Sequence, residues 1–82
     1  MSNEGPVTNL AALPPGRMAV VVGFRGGRGM MRKLEAMGVR PGKIVRKVSS
    51  QFMAGPVTVL IEGRQVAMGR GIAARVRVKT TG

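Results

Sequence analysis

Histidine, cysteine, aspartate, tryptophan and tyrosine are all missing from this 82-residue sequence, and phenylalanine occurs only twice. Each absence removes a chemistry. Without Cys, no disulfide can staple the chain. Without His or Cys, the usual ligands of zinc, haem and iron–sulfur clusters are gone. Nucleophilic triads normally draw their base from His. A paired-carboxylate acid–base site would have to come from Glu4, Glu35 and Glu62, the only acidic residues and widely scattered. The expectation is a non-enzymatic chain with no cofactor and no metal site. Long apolar runs are lacking too. Met18–Val22 is far too short to span a bilayer. Met1–Pro15 has neither the basic start nor the apolar core of a signal peptide.

What the chain does have is positive charge: 14 Lys and Arg against three Glu, a net charge of +11. Such an excess attracts nucleic acid, an anionic membrane face or an acidic protein. The basic residues are dispersed from Arg17 to Lys79, the distribution of a solvated coat as well as of a binding surface. The length allows one domain with a small core.

Read in order, Met1–Thr8 is mostly polar with Gly5 and Pro6, and is expected to be a flexible tail, with the domain proper over 9–79 and a frayed end over 80–82. Asn9–Leu13 reads as a short capped turn carrying two leucines to the core, and Pro14-Pro15-Gly16 breaks it. Met18–Val22 suits a strand buried on both faces. After the loop Phe24–Gly29, Met30, Leu34 and Met37 fall at i, i+4 and i+7, with Met31 beside them, which predicts a helix. Gly38 stands where a left-handed cap belongs, and Pro41-Gly42 is a second stop.

The remainder reads as strands. Lys43–Ser49 is rich in β-branched residues with imperfect alternation, which suggests a bend or bulge. Gln51–Pro56 is a loop. Val57, Val59 and Ile61 alternate with Thr58, Leu60 and Glu62. Glu62-Gly63 is a tight hairpin turn, and Gln65–Met68 returns. Ile72–Ala74 could make one helical turn, and Arg75–Lys79 alternates Val with basic residues. Strand, helix, then four short strands give a mainly β chain: a small SH3-like barrel of about five strands, closed or nearly so, with one short helix inserted after the first strand. An OB-like barrel is the alternative. The expected core is Val20, Val22, Leu34, Met37, Val57, Val59, Ile61, Val66, Val76 and Val78.

Leu34-Glu35-Ala36-Met37-Gly38-Val39-Arg40-Pro41-Gly42 resembles the Leu-x-x-Met-Gly-Ile-x-Pro-Gly signature of the FeoA domain, ferrous iron transport protein A, with Val39 in the place of Ile. Leu13-Pro14-Pro15-Gly16 with Ala19–Val22 resembles the family's opening strand. Gly55–Val59, Gly63, Val66–Gly71, Ala73 and Val76–Val78 resemble its tail. The ordered match runs from about Leu10 to Val78. The resemblance implies an SH3-like barrel with a helix after the first strand. It further implies a cytoplasmic accessory protein of bacterial ferrous iron uptake, acting on the membrane permease, ferrous iron transport protein B, near its cytoplasmic GTP-binding region. The same barrel occurs as a C-terminal domain of metal-dependent repressors, whose DNA-binding and dimerisation parts are absent from this chain.

Fe²⁺ favours imidazole and carboxylate ligands. With three Glu far apart in sequence, the expectation is a chain that serves iron transport without holding the metal. The Met residues at helical spacing are expected to fill the core, with any exposed remnant free to dock a partner. Gly26-Gly27-Arg28-Gly29 precedes a helix but lacks the Gly-Lys-Ser/Thr ending of a P-loop, so its glycines are expected to close a turn. Arg75, Arg77 and Lys79 on one strand and Arg46 and Lys47 on another form a basic face. It could meet an acidic partner or the anionic cytoplasmic leaflet. The expected partner-binding residues are Arg28, Arg32, Lys33 and Glu35 on the outer helix face. A basic nucleic-acid-binding barrel is the alternative function, disfavoured because Phe24 and Phe52 are the only rings available for base stacking. Exposed strand edges leave weak self-association open.

Overall fold

A computed structural model of the chain describes residues 4–48 and 55–81. Six strands form one antiparallel sheet: β1 Glu4–Asn9, β2 Met18–Phe24, β3 Ile44–Lys47, β4 Val57–Ile61, β5 Arg64–Met68 and β6 Val76–Thr81. The helix α1 spans Arg28–Ala36, and a single turn, α2, spans Arg70–Ala73. The strand order is β1-β6-β2-β3-β4-β5, so the sheet rolls around one core, with β1 and β5 at its two ends. This is the mainly β, SH3-like architecture that the strand–helix–strand order predicts, with six strands rather than about five.

The extra strand is β1. The sequence reading gives residues 1–8 to a tail, but Glu4–Asn9 pairs with β6, with Val7 opposite Lys79 and Asn9 opposite Arg77. Few apolar residues announce this strand, because it is held by backbone bonding to β6. That pairing also extends the far end: Thr80 and Thr81 belong to β6, and Thr80 is buried, although 80–82 reads as frayed. The helix keeps its place after Met18–Phe24, which becomes the second strand. Parts of the predicted Lys43–Ser49 strand and Gln51–Pro56 loop, with Phe52, lie outside the described residues.

The core unites Leu10, Leu13, Leu34, Val39, Val45 and the inward residues of β4 and β6. Leu34, Val57, Val59, Ile61, Val76 and Val78 are buried as expected, while Met37 and Val66 are only partly buried against them. Two expected core residues are corrected. Ala19 and Val21 point inward, Val20 is half-buried, and Val22 is 40% exposed. An unbroken apolar run carries no polar residue to mark its outer side, so its phase is illegible. The phase is set by Ala19, which sits between Val45 of β3 and Thr80 of β6. Val22 is the unpaired residue of a bulge, because Val21 faces Val78 while Gly23 already faces Arg77. The bulge returns Phe24 to the core side.

No register shift interrupts β3 against β4, and the bulge of this segment lies at its start, where Gly42, at φ +92°, and Lys43 together oppose Val21 of β2. The segment's broken alternation has another cause as well. Lys47 occupies an inward position and is 5% exposed, so it leaves the basic face to which the sequence reading assigned it. Its Nζ donates to the Ala11 carbonyl at 2.8 Å, tying β3 to the turn that carries Leu10 and Leu13. Asn9 caps that turn through Oδ1, which accepts from the Ala12 N–H at 2.9 Å.

Candidate functional site

The segment from α1 through Pro41-Gly42 is the most sharply specified part of the chain. Leu34 is fully buried, and Met30 and Met37 pack partly against the core, so α1 lies with one side on the barrel. Gly38 takes φ +89° just after the helix. Its N–H donates to the Glu35 carbonyl at 3.0 Å, and the Val39 N–H donates to the Leu34 carbonyl at 2.9 Å. This is a Schellman cap, with buried Leu34 and Val39 as its apolar pair. Arg40–Lys43 then turns with Gly42 at φ +92° and the Lys43 N–H donating to the Arg40 carbonyl at 3.1 Å. The Gly42 N–H donates to Val21 at 2.8 Å, and Val21 donates back to Lys43 at 2.9 Å. Helix end, turn and barrel wall are thereby locked together.

The outer side of α1 carries the expected partner residues. Arg28, Arg32 and Lys33 are exposed, and Glu35 is half-buried. Arg28, Arg32 and Glu35 share a stripe at i, i+4 and i+7, and Lys33 lies beside it. Met31 is 38% exposed, at i+3 from Arg28 and i−4 from Glu35. An exposed thioether therefore stands among the charges. The first turn holds no acidic residue and Gly27 supplies no side-chain cap, so the positive end of the helix dipole is uncompensated there. At the other end, Lys33 and the Arg64 guanidinium, which donates to the Met37 carbonyl at 3.4 Å, answer the negative end.

Glu35 also lines a cleft of about 330 Å³ with Gly38, Arg40, Lys43, Glu62 and Arg64. Two carboxylates far apart in sequence are thus brought to one cleft, which the spacing did not foretell. Only the return of the Glu62-Gly63 hairpin beside the helix end creates it. Three cations share the cleft, and Lys43 pairs with Glu62 at 3.2 Å. Among the described residues no group of three His, Cys, Asp or Glu stands close enough to hold a metal.

Two further surfaces escape the sequence reading. On the outer face of the sheet, Val20 opposes Ile44, and Ile44 and Leu60 are 52% and 38% exposed, with Arg46 opposite Leu60. At the far end of β2, Arg25 lines a cavity of about 430 Å³ with Gly26, Gly71, Ala74 and Arg75. Phe24, one of the two rings, is partly buried against the core. No helix among the described residues is long and apolar enough to cross a membrane.

The FeoA domain model matches residues 8–80. A protein of Methanocaldococcus jannaschii, provisionally named Fe(2+) transport protein A, is 31% identical over 70 residues, covering 85% of this chain and 83% of that protein. The crystal structure of an iron uptake regulatory protein (FeoA) superposes with a TM-score of 0.82 at 33% identity, covering 92% of this chain and 97% of the other. A manganese-dependent transcriptional repressor shares the fold at a TM-score of 0.82 and 22% identity, over 93% of this chain but 42% of its own. The chain belongs to the FeoA domain family, whose members serve ferrous iron transport.

Proposed function

We propose that this chain is a non-enzymatic accessory module of ferrous iron uptake, acting on the cytoplasmic side by contact with the membrane permease, ferrous iron transport protein B. Family membership supports the transport role. One observation carries the choice of contact surface: Met31 is 38% exposed on the outer side of α1, among Arg28, Arg32 and Glu35 and next to Lys33. A flexible, polarisable side chain ringed by charges suits an apolar dimple with an acidic rim on the partner. The same cations favour the anionic leaflet by up to about 1 kcal/mol each near the surface, which would concentrate the module beside its permease.

Iron is cargo of the system and not a ligand of this chain. The carboxylates of Glu35 and Glu62 share their cleft with Arg40, Lys43 and Arg64, an environment that repels a divalent cation.

Capture of the permease's cytoplasmic part by the full chain tests the reading. Wild-type chain should retain it, and Arg32→Glu combined with Lys33→Glu should lose both capture and iron-dependent growth. Retention by a stably folded double variant would remove the helix face, and no capture by wild type would remove the permease contact.

A further inference from the structure

The groove at the far end of β2 carries chemistry that the transport role does not use. Two cavities adjoin there. The first, about 430 Å³, is lined by Arg25, Gly26, Gly71, Ala74 and Arg75. The second, about 260 Å³, is lined by Val7, Thr8, Asn9, Arg25, Ala74 and Arg77. Arg25 and Ala74 are common to both, so the two are lobes of one groove. Arg75 belongs to one lobe, Arg77 to the other, and Arg25 stands between them.

The backbone builds this convergence. Arg25 donates its N–H to the Arg75 carbonyl at 2.7 Å, so the roots of the two side chains are neighbours across the β2–β6 seam. Arg77 faces Gly23 on one side and Asn9 on the other. Gly23 is the outward residue that follows the Val22 bulge, and a Cβ there would touch nothing within 4 Å. The glycine thus adds no side chain opposite Arg77 on the β2 side. On the other lobe, Arg75 lies across Gly26: a Cβ on that glycine would stand 3.5 Å from its Nη1.

Three guanidinium groups in one groove repel one another, and none of the described residues lining it is a carboxylate. That contrasts with the cleft at the other end of α1, where Glu35 and Glu62 answer the cations. All three cations here are Arg, although the chain also carries four Lys. Arg offers the planar fork that grips phosphate oxygens in pairs, whereas Lys acts as a point charge.

We propose that this groove binds a diphosphate, one phosphoryl group in each lobe, with Arg25 bridging the two. Arg75 holds the phosphoryl group over Gly26, and Arg77 holds the other in the lobe that Thr8 and Asn9 line. The chemistry is that of two linked phosphoryl groups, found in a nucleotide's diphosphate or in a multiply phosphorylated lipid headgroup. The groove is separate from the outer face of α1, so the proposal stands or falls independently of permease contact.

Pyrophosphate titration of the ¹⁵N-labelled full chain at low salt tests it. Localised shifts are expected at Gly26, Gly71 and Ala74 and at the Nε–H groups of Arg25, Arg75 and Arg77, with pyrophosphate at least tenfold tighter than orthophosphate, as two adjoining subsites demand. Arg25→Gln should weaken binding at least about tenfold. Arg17→Gln removes the same charge at the opposite end of β2 and should leave binding unchanged. Equal weakening by both variants, or weak shifts spread over every basic residue, would reduce the effect to net charge and overturn the proposal. Vesicles bearing a multiply phosphorylated inositol lipid form a second arm. Binding that pyrophosphate displaces identifies a lipid source, and absence of vesicle binding beside pyrophosphate binding identifies a free one. Oligonucleotide binding with no localised pyrophosphate response would replace the proposal with a nucleic-acid surface.

Discussion

Val39 donates its N–H to the Leu34 carbonyl at 2.9 Å, and both side chains are fully buried. This pair ties the end of α1 to the core, and everything that places the outer helix face depends on it. The cap works only because Gly38 takes φ +89°. A Cβ there is strained by about 1–2 kcal/mol in the left-handed region. It would also overlap the Arg64 guanidinium, whose displacement gives up the contact to the Met37 carbonyl. Gly38→Ala is therefore expected to destabilise the chain by about 1–2 kcal/mol or slightly more. Urea unfolding followed by circular dichroism measures it, and an unchanged midpoint would show that the cap does not hold the helix end.

That cap is also why the helix was legible. Apolar spacing, a glycine at the stop and a Pro-Gly turn all speak of backbone conformations that few residues can adopt, so the sequence states them locally. β1 is different: nothing in Glu4–Asn9 announces a strand, because its partner β6 lies at the other end of the chain. The cleft that joins Glu35 to Glu62 is equally silent, since it exists only when the hairpin folds back beside the helix end. Of the expected partner residues, the spacing correctly put Arg28, Arg32 and Lys33 outward, but it gave no sign that Glu35 would turn into a cleft with Arg40, Lys43 and Arg64.

The phase of β2 can be tested directly. Val21 is 1% exposed in the core, whereas Val22 is 40% exposed at the bulge. Truncating Val21 removes two buried methyl groups and leaves a cavity, at a cost of about 2 kcal/mol. Val22→Ala should change stability by less than about 0.5 kcal/mol. Thermal unfolding of the two single variants decides it. Equal losses would mean that both valines are buried.

Glu62 sits at φ +50° in a two-residue turn with Gly63 at φ +77°, a turn type that prefers Asn-Gly. Its compensation is the bridge to Lys43 at 3.2 Å, between side chains that are 53% and 41% exposed. Exposed pairs contribute about 0–1 kcal/mol and fade with salt. Relief of the backbone is worth about 1 kcal/mol. Glu62→Asn is therefore expected to stabilise the chain slightly, by about 0.5 kcal/mol, and by more at high salt, where the lost bridge counts for less. Unfolding midpoints at low and high salt check both statements. A destabilised variant whose deficit vanishes at high salt would show that the bridge outweighs the turn.

Lys47 offers an unusually clean pH test. The chain has no His, Cys or Tyr whose titration would overlap an alkaline measurement. Burial, and then the nearby charge of Arg70, lower the Lys47 pKa from its ordinary 10.5. Below the lowered value the amine is charged in both folded and unfolded chains, and the folded state bears the cost of desolvating it. Between the lowered value and 10.5, the unfolded chain still binds the proton while the folded chain has released it, so stability rises with pH across that window. Above 10.5 the contribution is flat. Lys47→Met keeps an unbranched side chain, one atom shorter, and removes the titration, so its stability should lack this alkaline rise. The measurement is the urea midpoint of both chains from about pH 8 to about pH 11. Parallel curves would show that the Lys47 amine is solvated in the folded state, despite its 5% exposure and its 2.8 Å bond to Ala11.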